Sequence, residues 1–102
     1  MTFAFRRITF PPVIRSFRDR SLKRYFEAGD PSGLSVPNVA RVGRILHALD
    51  AAARPEQVNL SGFYWHPLPS EARWAIQVTG NWRITFARDG ADADAVDLED
   101  YH

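Results

Sequence analysis

His66, Arg83 and the run Asp100-Tyr101-His102 are the residues whose types could do chemistry together. Two imidazoles, a guanidinium, a phenol and a carboxylate suit metal-free cleavage of a phosphodiester. That reaction needs a base for the ribose 2′-hydroxyl, an acid for the 5′-oxygen and a cation for the charge on phosphorus. Histidine titrates near neutrality and serves as either base or acid, and tyrosine can stack on an unpaired base or hold a proton. Taken singly, each has a plainer explanation: His66 before Pro67 reads as a surface-loop histidine, Arg83 as a solvated cross-strand partner, and a terminal His as disordered. A metal site from His66, Asp100 and His102 is a weaker alternative, because no HxH or HxxxH spacing preforms it. Cysteine is absent, which excludes thiolate zinc sites, a cysteine nucleophile and a disulfide framework. No Gly-rich phosphate loop or Gly-x-Ser-x-Gly elbow is present either.

The elements that must position these residues follow from periodicity. Trp74, Ile76 and Val78 alternate with Ala75, Gln77 and Thr79; after Gly80-Asn81, Trp82, Ile84 and Phe86 alternate with Arg83, Thr85 and Ala87. This predicts a hairpin. If Trp82, Ile84 and Phe86 face the helices, Arg83 faces away. Leu60 to Trp65 reads as a further strand, whose parity puts Phe63 with Trp65 and Tyr64 with His66. Asp89-Gly90 turns the chain towards Val96 and Leu98, and Val13–Phe17 reads as a short first strand. Between them, Asp19 caps a predicted helix to about Ala28, ended by Gly29. A second helix is predicted to start at Ser35, with Pro37 in its first turn and a core stripe of Val39, Val42, Leu46 and Leu49. The expected class is α+β: two N-terminal helices packed on an antiparallel sheet.

With 102 residues and 45% apolar content, the chain is expected to form one domain, residues 13–102, behind an N-terminal extension of residues 1–12 that Pro11-Pro12 sets apart. No run approaches the ~18 apolar residues of a membrane span, and Arg6 and Arg7 interrupt any signal-peptide stretch. A cytoplasmic protein with no membrane partner is the expectation. The net charge of +1 hides an asymmetry: residues 1–54 carry ten basic and four acidic side chains, residues 55–102 three and eight. Twelve of the thirteen cations are arginines, suited to forked phosphate contacts. The basic half reads either as a solvated helical face or as a surface for RNA or an acidic partner.

Ile14-Arg15-Ser16-Phe17, Tyr25-Phe26-Glu27-Ala28-Gly29, His66-Pro67-Leu68, Gly80-Asn81-Trp82-Arg83-Ile84-Thr85-Phe86 and Asp100-Tyr101-His102 together resemble the HigB toxins of the RelE/ParE toxin–antitoxin superfamily. The resemblance runs from about Val13 onward. It implies a microbial-ribonuclease-like fold and a toxin that cleaves mRNA at the ribosomal A site without cofactor or metal. It also implies a helix-turn-helix, HigA-like antitoxin as partner. The family's active-site positions fall on His66, Arg83, Asp100, Tyr101 and His102, while Arg41, Arg44 and the N-terminal arginines would grip ribosomal RNA. One departure stands out. The family reads His-Pro-Leu-Lys-Gly where this chain reads His66-Pro67-Leu68-Pro69-Ser70; the lysine is missing, and Arg73 is the nearest cation that could replace it. Two competing expectations remain: a non-catalytic toxin that occupies a protein target, as in the gyrase-directed branch, and a module that only binds its antitoxin.

Overall fold

The computed structural model describes residues 14–52, 62–89 and 92–100. The expected extension, Tyr101 and His102 lie outside the described residues. Helix α1 spans Arg20–Ala28 and α2 Val39–Ala51; four strands follow, β1 His66–Leu68, β2 Arg73–Thr79, β3 Trp82–Asp89 and β4 Asp92–Asp100, with a 3-10 turn at Pro69–Glu71 between the first two. The strands form one antiparallel sheet in the order β1-β2-β3-β4. This is the expected α+β arrangement. No helix among the described residues is long and apolar enough to cross a membrane.

Helix α1 begins as its sequence dictates. The Asp19 carboxylate accepts from Leu22 N–H at 3.0 Å, and Gly29 closes the helix at φ 72°, a left-handed angle that suits glycine. Helix α2 starts later than expected. Its N-cap is Asn38, whose side chain accepts from Arg41 N–H at 3.1 Å, and Ser35 and Pro37 lie outside the helix. Pro37 disfavours helical geometry at Val36, which is instead buried in the core. Gly43 lets α1 come close: a Cβ there would lie 2.9 Å from the Tyr25 hydroxyl.

Leu22, Val42, Ile45, Leu46 and Leu49 from the helices meet Ile76, Ile84, Phe86 and Val96 from the sheet, each contributing about 1.5–3 kcal/mol on burial. The predicted hairpin forms with Ile76 opposite Ile84 and Trp74 opposite Phe86. Two expected strands take other forms. The segment 14–18 lies parallel to β4 through isolated bridges, Ile14 to Ala93 and Phe17 to Val96. Strand character expected up to Trp65 is lost because Gly62 (φ 88°) and Tyr64 (φ 52°) are both left-handed; residues 60 and 61 lie outside the described residues, and pairing begins at His66.

Strand β4 carries a bulge. Thr85 pairs with Asp97 and Ala87 with Asp94, so β4 has one residue more than β3 there. Ala95 absorbs it at φ 48°, with its N–H held by Ser16 Oγ at 2.9 Å.

Candidate active site

The sheet face turned away from the helices carries the polar residues. His66 is opposite Ala75, Ala75 opposite Thr85, Gln77 opposite Arg83, and Arg83 opposite Glu99. Side chains on directly paired residues share a face, so His66, Arg83 and Glu99 share this one. A cleft of about 200 Å³ opens there, lined by His66, Gln77, Gly80, Asn81, Trp82 and Arg83. Two of the candidate residues, His66 and Arg83, thus line one cavity. Asp100 is exposed at the end of β4, paired with Trp82, and is not among the residues that line the cleft.

The tautomer of His66 is set by its backbone neighbour. Its Nδ1 lies 3.0 Å from the Tyr64 carbonyl. A carbonyl only accepts, so Nδ1 carries the hydrogen and Nε2 of the neutral ring keeps its lone pair. Arg83 is held by a residue that sequence reasoning passed over. Its Nη2 donates to Glu99 Oε1 at 3.0 Å, while Thr85 Oγ1 donates to Glu99 Oε2 at 2.7 Å. Burial pushes the Glu99 carboxyl up, but the bonds from Thr85 and Arg83 and the charges of Arg83 and Arg73 outweigh it and hold it below the ordinary glutamate value. Glu99 stands directly opposite Arg83, and that cross-strand charge pair was the signal available.

Arg73, the cation nearest the missing lysine in sequence, turns its guanidinium inward. Its side chain is buried, at 5% exposure, and its Nη2 donates to Thr85 Oγ1 at 3.0 Å and to the Ala95 carbonyl at 2.6 Å. Burial, with the charge of Arg18 adding to it, lowers the pKa of its guanidinium. The reason lies in register: Arg73 pairs with Leu68 and follows the left-handed Ala72, and the bulge at Ala95 offers it a carbonyl. Asp97 is also covered, and burial pushes its carboxyl up against the opposing bond from Leu98 N–H.

The candidate RNA-binding arginines divide. Arg41 uses its guanidinium internally: Nε and Nη2 donate to the Gln77 carbonyl at 3.0 and 2.9 Å, Nη2 also to the Gly62 carbonyl, and the group lies 5.3 Å from the Phe63 ring centroid. It clamps α2 to β2 and the 62–63 turn. Arg44 is exposed on α2, as are Arg20, Lys23 and Arg24 on α1. Among the described residues no three His, Cys, Asp or Glu side chains gather closely enough to hold a metal ion.

No protein-family model matches the chain. Among curated proteins, an Endoribonuclease HigB of Proteus vulgaris is 39% identical over 92 residues, which make up 88% of this chain and the whole of that protein.

Proposed function

The chain belongs to the HigB-type toxin endoribonucleases, and from that footing we propose that it cleaves mRNA in the ribosomal A site by acid–base chemistry without a metal. The observation that carries the mechanism is the shared cleft of His66 and Arg83, with His66 Nδ1 tied to the Tyr64 carbonyl. Nε2 of His66 takes the proton of the ribose 2′-hydroxyl. The 2′-oxygen then attacks phosphorus, the bond to the 5′-oxygen breaks, and a 2′,3′-cyclic phosphate remains. His102 returns a proton to the leaving 5′-oxygen, sharing the acid–base work with His66. Asp100 orients this pair, Tyr101 positions the nucleotide, and Arg83 stabilises the charge that grows on the phosphoryl oxygens.

Docking on ribosomal RNA falls to Arg44 and to the exposed cations of α1, which contact phosphates without reading sequence; Arg41 supports that surface from beneath. A HigA-like antitoxin keeps the toxin in check, and the cytoplasm is where the ribosome, antitoxin and toxin meet. Expression in cells tests the proposal. Translated mRNA should be cut and lost, and His66→Ala should abolish cleavage while antitoxin binding persists. Cleavage by His66→Ala at the wild-type rate would remove His66 from the mechanism. A DNA-damage response with mRNA intact would point to a protein target instead.

A further inference from the structure

We propose that Tyr64 is the stacking platform of a nucleobase subsite beside the cleft, taking a base that flanks the scissile phosphate; this rests on the RNA-cleaving function proposed above. Tyr64 is the large hydrophobic residue that stands out as exposed among the described residues, at 68%. Its backbone is left-handed, φ 52°, an uncommon and strained state for a bulky side chain. Such strain persists where the surroundings enforce it, and it clusters at functional sites. Here the enforcement is visible on both sides. Phe63 is buried beneath the Arg41 guanidinium, and its carbonyl accepts from Gln77 N–H at 3.0 Å. The Tyr64 carbonyl is taken by His66 Nδ1. The chain is pinned before and after Tyr64, and the ring is left in solvent.

Tyr64 also borders a second depression, with Asn38, Arg41, Thr79, Gln77 and Gly80, and the last two of these also line the His66–Arg83 cleft. The two depressions therefore adjoin at residues 77 and 80. No carboxylate lines the second one, and the clamped Arg41 gives it a fixed positive charge. A ring at the rim, uncharged hydrogen-bonding side chains and a cation match an unpaired nucleotide. A ring face accepts any base, so Tyr64 supplies affinity more than sequence choice. An acidic segment of the antitoxin is the competing occupant.

Stacking persists from ground state to transition state, so its loss should raise KM and leave kcat alone. Three variants, Tyr64→Ala, Tyr64→Phe and Tyr64→Trp, would be compared on programmed ribosomes, alongside affinity for a fluorescent single-stranded 2′-O-methyl RNA, which cannot be cleaved. Tyr64→Ala should weaken that binding and raise KM by about 5- to 150-fold, with unchanged melting and antitoxin affinity; Phe and Trp should bind like wild type. Oligonucleotide affinity unaffected by Tyr64→Ala, or a wild type that binds no oligonucleotide, would overturn the proposal. So would a Tyr64→Ala defect confined to antitoxin binding, which would assign the ring to the protein partner. A wild type that binds the oligonucleotide through Tyr64 yet cleaves no RNA would remove the proposed activity and leave the subsite standing.

Discussion

Replacing Glu99 by Gln exchanges one carboxylate oxygen for an NH2 and leaves the volume unchanged. In the wild type both oxygens are occupied, Oε1 by Arg83 Nη2 at 3.0 Å and Oε2 by Thr85 Oγ1 at 2.7 Å. A carboxamide has one acceptor oxygen, so one of these bonds is lost together with the charge attraction. A hydrogen bond to a charged group contributes about 1.5–3 kcal/mol. The Arg83 and Glu99 side chains are only 12% and 26% exposed, so the pair is shielded from the screening that makes surface ion pairs weak. The expected loss of stability is therefore about 1.5–3 kcal/mol. Catalysis should fall further, because Arg83 loses the carboxylate that aims it, and a misplacement of about 1 Å can cost on the order of 100-fold. Since the guanidinium acts on charge that develops during reaction, the loss should appear in kcat. Single-turnover cleavage of ribosome-bound mRNA would be measured beside urea unfolding of the same preparations. In a cycle with Arg83→Ala, the two losses should be strongly non-additive. A Glu99→Gln protein that is less stable yet keeps its single-turnover rate, assayed well below its melting midpoint, would refute the positioning role and leave the ion pair as a structural strut.

Arg73→Ala should act mainly on folding, by about 1–3 kcal/mol for the buried polar partners it leaves behind, and should slow cleavage clearly less than Arg83→Ala; equal damage to the rate in a folded protein would place Arg73 at the phosphate after all. Pro69→Lys restores the charge the family carries, and one such donor is typically worth about 100- to 1000-fold; a rate unchanged in single-turnover assays would mean that the exposed 3-10 turn at Pro69–Glu71 cannot aim the new side chain. Acid should separate wild type from Glu99→Gln. The folded carboxyl of Glu99 sits below its unfolded value, so its stabilisation is present above the ordinary glutamate range and is lost as pH falls through the folded value. The difference in unfolding free energy between the two proteins should be widest near neutrality and close on acidification; a constant gap would exclude that linkage.

Local chemistry made much of this fold legible. Asp19 and Gly29 announce α1 because a cap and a left-handed stop depend only on neighbouring residues, and the Trp74–Phe86 hairpin announces itself because alternation and a Gly-Asn turn agree. The start of α2 misled because two signals compete over Ser35–Asn38, and the asparagine side chain wins. The parity of β3 placed Arg83 on the face away from the helices, and the paired register puts His66 there too. The partners of Glu99 and Arg73 were not legible for a shared reason. Both depend on the β4 bulge, which brings the Ala95 carbonyl to Arg73, and neither residue's own spacing encodes it. Arg41 illustrates a different limit: its bonds to the Gln77 and Gly62 carbonyls depend on tertiary contacts that its place on a helix does not encode.

The extra residue at Ala95 has a consequence for the end of the chain. Ala93 and Val96 both face the core although they are three positions apart, which strict alternation forbids. Every side chain beyond Ala95 is therefore in the opposite phase from the one it would have in a regular strand. With Ala95 in place and no such shift, Glu99 would point into the apolar layer and Leu98 into the cleft. A single-residue deletion at Ala95 would therefore straighten the strand without turning it over: Val96 and Leu98 would stay inward and Glu99 opposite Arg83, and the loss would fall on Arg73, whose carbonyl partner goes with the deleted residue.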